Sequence, residues 1–296
     1  MKNYITTQGS VRESTVKDYI ALLKPRVMSL VVFTAFAGMV LAPGHIHPFI
    51  AFLAMLFITI GAGAAGCLNM WYDRDIDAIM QRTQNRPIVR GSVNESEALA
   101  LGIMLSVFSV VGMGVCVNIL SGFILFISII FYYYIYTVWL KRVSVQNIVI
   151  GGAAGAFPPM IGWTATTGNV SFDAFILFLI IFLWTPAHFW ALALYKAEDY
   201  KLANIPMMPV IRGKAHTKDL IVYYTILTLI ATILPYLRDT AGVIYLITSI
   251  MLNLHFLYLV INLRCEKDIE FAPKVFVYSI FYLFAIFLAL IIDKFI

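Results

Sequence analysis

Residues 61–87 read GAGAAGCLNMWYDRDIDAIMQRTQNRP, an apolar run of small residues that empties into a loop dense in carboxylates and guanidiniums. Asn69, Asp73 and Asp77 are spaced by four, and steps of four keep side chains near one helix face, drifting by about 40° per step. At ~1.5 Å rise per residue the three form a ladder roughly 12 Å long. Asp75 lies two residues off and is expected to point elsewhere. A ladder of hard oxygen ligands at a membrane edge suits Mg2+, which takes few carboxylates and completes its shell with phosphate oxygens and water. A solvated helix end would explain the acids alone. The same segment, however, also supplies Arg74, Arg82, Arg86 and Arg90. Carboxylates for a metal beside cations for a phosphate point to a diphosphate site.

The chain around this segment excludes a soluble domain. Of its 296 residues 61% are hydrophobic and only 12% charged, and the mean hydropathy is +0.87. Runs long enough to cross ~30 Å of hydrocarbon recur. They fall near 22–42, 48–69, 97–118, 122–140, 145–165, 173–194, 219–237, 240–262 and 275–293. The expectation is an all-α, polytopic membrane protein: nine transmembrane helices in one bundle, a single intramembrane domain over 1–296. Every Lys and Arg except Arg238 and Lys294 lies in the N-terminal tail or near 70–96, 141–144, 195–218 and 263–274, all on one side of such a bundle. On the other side the acids are Asp173, Asp239 and Asp293. The positive-inside rule then makes the N-terminus cytoplasmic and places the C-terminus on the opposite side. The net charge of +5 reflects this bias and argues for no nucleic-acid partner. The tail carries Glu13 and Asp18 without an apolar core, so it reads as neither a signal nor a transit peptide. That fits a bacterial inner membrane. Cys67, Cys116 and Cys265 stand singly, without metal or redox spacing, and read as small apolar packers.

Two long polar loops on the basic side echo each other. One runs from Asp73 to NRPIVRG (85–91), the other from Asp199 to NIPMMPVIRG (204–213). Each follows an apolar helix, begins acidic, passes a proline and ends in Ile-Val-Arg-Gly or Val-Ile-Arg-Gly. Gly91 and Gly213 are 122 residues, or four helices, apart. Duplicated halves that place a site at their interface are a common membrane design. Small residues at 61–66 and 151–155 let backbones approach in lipid, and Pro158, Pro159 and Pro186 are expected to kink their spans.

Further charges can join the ladder. Lys24 and Arg26 flank Pro25 at the start of the first span, and the second loop offers Lys196, Glu198, Asp199 and Lys201. Asp199 is the better second metal ligand, because its neighbour Glu198 diverges by ~100° on a helix. A diphosphate held by metal and cations at the mouth of a lipid-embedded bundle implies a substrate with an apolar tail. Metal, Arg and Lys stabilise the departing diphosphate, and a dry cavity guards the allylic cation until an acceptor attacks. That chemistry is prenyl transfer. His188 lies in the sixth span between Trp184 and Trp190, where a lone histidine is ordinarily a hydrogen-bonded core residue. His255 reads as core; His45, His47 and His216 read as surface residues.

NxxxDxxxD, the basic loop after it and the acidic second loop resemble the UbiA superfamily of intramembrane prenyltransferases. WTPAHFWALALYKAEDY (184–200), KPRV (24–27) and MQRTQNRP (80–87) narrow this to a resemblance to its protoheme IX farnesyltransferase family. The resemblance implies transfer of farnesyl from farnesyl diphosphate to a vinyl group of protoheme IX, with water added, giving heme O. It implies that Asn69, Asp73 and Asp77 serve Mg2+ and diphosphate, with Arg82 and Arg86 as phosphate partners. It also implies a heme contact at His188 beside Trp184, and a heme A synthase or terminal oxidase as assembly partner. One departure stands out: the superfamily often has a second DxxxD, and here Tyr195 occupies the position four before Asp199. The competing readings are prenyl transfer to an aromatic or quinone precursor, a transporter, and a non-catalytic oxidase assembly partner. Crowding of charge on one face argues against a transporter, which keeps ionisable groups near the midplane.

Overall fold

The structure is a computed structural model that describes residues 14–296. The tail at 1–13, with Lys2, Arg12 and Glu13 of the charge argument, lies outside the described residues. The helices are α1 Val16–Leu22, α2 Pro25–Leu41, α3 Pro48–Tyr72, α4 Arg74–Ile79, α5 Glu95–Cys116 and α6 Ile119–Val143. There follow α7 Asn147–Thr167, α8 Phe172–Tyr195, α9 Ala197–Leu202, α10 Met208–Ile211, α11 Lys214–Leu237, α12 Val243–Cys265 and α13 Phe271–Lys294. No strand occurs among the described residues. Eight helices are long and apolar enough to cross a membrane by themselves. The bent pair of α1 and α2, which meet at 54°, passes the same test when taken together as one span and brings the count to nine.

Local chemistry accounts for many of the boundaries. Pro25 and Pro48 open α2 and α3, where a missing N–H costs nothing. Asn118 and Ser171 cap α6 and α8, their side chains accepting from the N–H of Ser121 (2.8 Å) and Ala174 (3.1 Å). Inside α7, Pro158 has no N–H for the carbonyl of Ala154. The Ser128 hydroxyl donates to that carbonyl instead, at 3.2 Å, and both α7 and α8 pass their prolines as single spans.

The echo between the loops extends to the whole helix order. Helices α2, α3, α5 and α6 begin at 25, 48, 95 and 119, while α7, α8, α11 and α12 begin at 147, 172, 214 and 243. Four crossings separate equivalent helices, so the two halves run parallel rather than inverted. A short helix, α4 or α9, follows the second helix of each half. Gly91 and Gly213 both adopt positive φ (73° and 85°), a backbone that explains why each echo ends in glycine. The halves meet where α2 crosses α7. There a Cβ on Gly38 would strike the Pro159 carbonyl, and one on Gly162 the Ala35 carbonyl.

Two expectations need correction, and one span has an unexpected winding. His255 is exposed on the outer face of α12, its ring edge-on to Tyr278 at 4.6 Å, because the inward side of that turn is taken by Asn253 and Phe256. Cys116 and Cys265 are exposed at helix ends; only Cys67 packs inside. The fourth span is α-helical only to Ile130, and Phe131–Leu140 is a π-helix whose wider turn lets the Thr137 hydroxyl donate to the Tyr132 carbonyl at 2.8 Å.

Candidate active site

The ladder forms as its spacing dictates, although α3 stops at Tyr72 and Asp73 is the joint to α4. The backbone pattern continues across the joint: Asp73 N–H donates to Asn69 C=O (3.0 Å) and Asp77 N–H to Asp73 C=O (2.8 Å). Asn69, Asp73 and Asp77 are buried, whereas Asp75 is exposed and pairs with Arg142 through two contacts of 2.8 Å. Those hydrogen bonds hold the Asp75 carboxyl below the usual carboxylate range.

Cations close over the ladder from three elements. Lys24, at the α1–α2 bend with φ 54°, donates to Asn69 Oδ1; Lys141 pairs with Asp73, and Arg86 with Asp77. Asn69 Nδ2 donates to Asp73 Oδ2 (2.8 Å) and to Thr137 Oγ1 (2.9 Å). One ladder atom stays unpartnered: Asp73 Oδ1 is buried without a hydrogen bond, with Arg142 3.9 Å away. A buried bare carboxylate oxygen is costly alone and suited to a cation. Among the described residues no three His, Cys, Asp or Glu side chains form a ready cage.

The second loop arrives through Tyr200, which is buried beside Arg82, Arg86 and Asp199. Burial pushes its phenol up. Asp199 itself is half-buried and makes no side-chain hydrogen bond among the described residues. Lys196 stands over the Tyr195 ring at 5.8 Å. Arg82 and Lys201 are exposed, and Arg26 is exposed at the rim of the cavity below.

That cavity, about 430 Å3, leads from Lys24 and Arg26 past Tyr132 and Tyr136 to Trp184 and His188. Its walls are largely apolar, and the volume lies in the usual range for a small-molecule site. Val27 of α2 and Ile280 of α13 line it yet face outward, so it opens toward lipid between these helices. At the far wall the His188 ring is stacked between Trp184 (4.3 Å) and Phe276 (4.7 Å). His188 Nδ1 lies 2.6 Å from Ser279 Oγ, and Trp184 Nε1 donates to the Ser279 carbonyl at 2.9 Å.

The structure therefore joins Lys24, Asn69, Asp73, Asp77 and Arg86 in one cluster, with His188 and Trp184 on the wall of the same cavity. Lys201 stands outside the cluster, in solvent. Sequence reasoning missed Lys141, Tyr132, Tyr136, Thr137 and Ser279. Lys141 was visible only as a loop cation, and the apolar run FYYYIYTVWL carries no sign of which aromatics turn inward.

A helical membrane bundle in which Lys24 links a buried cluster of acids and cations to an apolar cavity is the frame of a prenyltransferase, and the comparisons give the same class. Residues 31–290 match the UbiA prenyltransferase family, and the chain belongs to it. Two relatives are narrower in kind: the protoheme IX farnesyltransferase of Rickettsia bellii is 56% identical over 282 residues, covering 95% of this chain and 94% of that protein. The protoheme IX farnesyltransferase of Rhizobium johnstonii is 55% identical over 294 residues, covering 98% and 93%. Among solved structures, a digeranylgeranylglyceryl phosphate synthase superposes with a TM-score of 0.79 at 21% identity, over 94% of this chain and 98% of that one. A UbiA homologue from Archaeoglobus fulgidus, solved with GPP and Mg2+, gives 0.68 at 16% identity, over 92% and 99%. At these identities the likeness is one of fold.

Proposed function

We propose that the chain is a protoheme IX farnesyltransferase, acting as one intramembrane domain. The observation that carries the reading is the ladder of Asn69, Asp73 and Asp77, ringed by Lys24, Lys141 and Arg86, with Lys24 belonging both to this cluster and to the lining of the apolar cavity. The specific acceptor is supported by relatives of that name at more than half identity over nearly the full chain.

Asp73, Asp77, Asn69 and, from the second loop, Asp199 would hold Mg2+; the bare Asp73 Oδ1 is the atom that fits it. When bound, the metal supplies positive charge to the diphosphate oxygens. Lys24, Arg82, Arg86, Lys141 and Lys196 bind and orient the same group, and Lys201, exposed outside the cluster, has no part in it. The carbon–oxygen bond of farnesyl diphosphate breaks with its electron pair leaving on diphosphate, which these cations stabilise. The apolar walls exclude water from the allylic cation. A carbon–carbon bond then forms at the terminal carbon of a heme vinyl group. Water adds at the neighbouring carbon and releases a proton, leaving a hydroxyethylfarnesyl side chain. Trp184 and His188 line the same cavity as Lys24, and in this reading His188 is assigned to the heme.

The basic loops face the cytoplasm of a bacterial inner membrane in this reading. A heme A synthase or terminal oxidase is the expected assembly partner, since heme O needs a consumer. The test is extraction of hemes from cells with and without the chain, together with membranes supplied with farnesyl diphosphate, Mg2+ and either heme or 4-hydroxybenzoate. Farnesylated heme that appears only with the chain is the expected product. Prenylated hydroxybenzoate without heme product would replace this reading with the aromatic-acceptor one.

A further inference from the structure

His188 presents one nitrogen to the cavity, and the hydrogen-bond chain behind it decides what that nitrogen can do. The Ser279 hydroxyl lies 2.6 Å from the backbone carbonyl of Phe276. A carbonyl has no proton to give, so the hydroxyl donates there. Toward His188 Nδ1, at 2.6 Å, Ser279 Oγ then has only lone pairs left, and the hydrogen of that bond must sit on Nδ1. In the neutral imidazole this leaves Nε2 as a bare lone pair. Among the described residues Nε2 makes no hydrogen bond, and His188 lines the cavity. The stacked rings of Trp184 and Phe276 cover both faces of the imidazole, so the Nε2 edge is its only approach. The Trp184 indole bond to the Ser279 carbonyl ties α8 to α13 at the same residue and fixes the ring's position further.

A bare Nε2 cannot donate to a propionate, because it carries no proton. It can bind a metal. We propose that His188 Nε2 is an axial ligand to the iron of the protoheme substrate, and that Ser279 is its positioning residue, setting the tautomer and aiming the ring. The inference rests on the farnesyltransferase reading for the identity of the acceptor. A histidine that ligates through one nitrogen and donates from the other to an oxygen is the usual arrangement at metal sites. Ligation would hold the macrocycle edge-on to α8 and α13, and so set how far its vinyl groups stand from the prenyl carbon.

The test is ferrous protoheme bound to the purified full chain in detergent, read by resonance Raman and by titration, with farnesyl transfer to heme assayed in parallel. The wild type is expected to show an iron–imidazole stretching band. His188→Phe keeps the aromatic stack and is expected to lose the band while still binding farnesyl diphosphate. Ser279→Ala is expected to shift the band and weaken heme binding by about tenfold, with Ser279→Thr restoring both. A band that persists in His188→Phe, or a Ser279→Ala protein with unchanged band and affinity, overturns the proposal. If the band depends on His188 but the wild type transfers no farnesyl group, ligation stands and the activity falls. If transfer proceeds with no such band, the activity stands and ligation falls.

Discussion

Asp73 is the residue on which charge and chemistry meet. Its carboxylate is fully buried, and Lys141, its partner from α6, is only 14% exposed. Breaking such a pair from one side leaves an uncompensated buried charge, at a cost of about 3–5 kcal/mol. Asp73→Asn is therefore expected to abolish product formation and also lower Tm; Asp77→Asn should abolish product formation while the protein still inserts. Near-normal turnover by either variant at low Mg2+ would remove the ladder from the metal site. Lys141→Met should destabilise by a similar amount, because it strands Asp73 in turn. The double variant Asp73→Asn, Lys141→Met removes both charges and should recover most of the lost Tm without recovering activity. Additive losses in this cycle would mean that the pair is not coupled. The carboxylate half of the arrangement was legible in the sequence, since four-residue spacing is a local property of a helix. Lys141 was not, because 68 residues separate it from Asp73 and only the packing of α6 against α3 brings them together. Ser279 was invisible for the same reason, 91 residues from His188.

At the scale of elements, the crossing of α2 over α7 sets the shape of the cavity, and it depends on two absent side chains. Gly38→Ala and Gly162→Ala would each drive a methyl into the backbone carbonyl of the partner helix, and backbone cannot swing aside. Both are expected to lower Tm and the yield of monodisperse protein. Gly155→Ala, also in α7, meets nothing within 4 Å and should be neutral to within about 0.5 kcal/mol. Equal effects at all three positions, measured by thermal unfolding in detergent, would rule out the close crossing. The small-residue clusters read from the sequence, 61–66 and 151–155, include neither Gly38 nor Gly162, so this crossing was not announced by them. Span positions were readable because lipid demands length and apolarity from each crossing separately. The π-helical turn at Phe131–Leu140 was not, since an apolar aromatic run obeys the same composition rule whichever way it is wound. His255 was misplaced for a related reason: within a bilayer both faces of a helix are apolar, so hydropathy does not separate core from lipid.

Across the whole molecule, the parallel repeat and the charge bias make one statement about topology. Each half has four crossings, so both loops that follow the second helix of a half emerge on one side, where Tyr200 brings them together beside Arg82 and Arg86. The repeat also shows what has diverged: at the 122-residue offset Asp199 stands opposite Asp77, but Tyr195 stands opposite Asp73. One half supplies the full ladder and the other a single carboxylate, which makes the first loop the principal metal-binding element in this reading. Native cysteines test the orientation without added tags. Cys116 ends α5 and Cys265 ends α12, both exposed, while Cys67 is buried. By topology Cys116 lies on the side of Arg238 and Lys294, and Cys265 on the side of the basic loops. With the basic loops in the cytoplasm, a membrane-impermeant maleimide added to intact spheroplasts should label Cys116 and spare Cys265. Permeabilisation should then admit label to Cys265, and Cys67 should react only after unfolding. Labelling of Cys265 before permeabilisation, with Cys116 protected, would invert the topology and place the diphosphate site on the wrong side for a cytoplasmic supply of prenyl substrate.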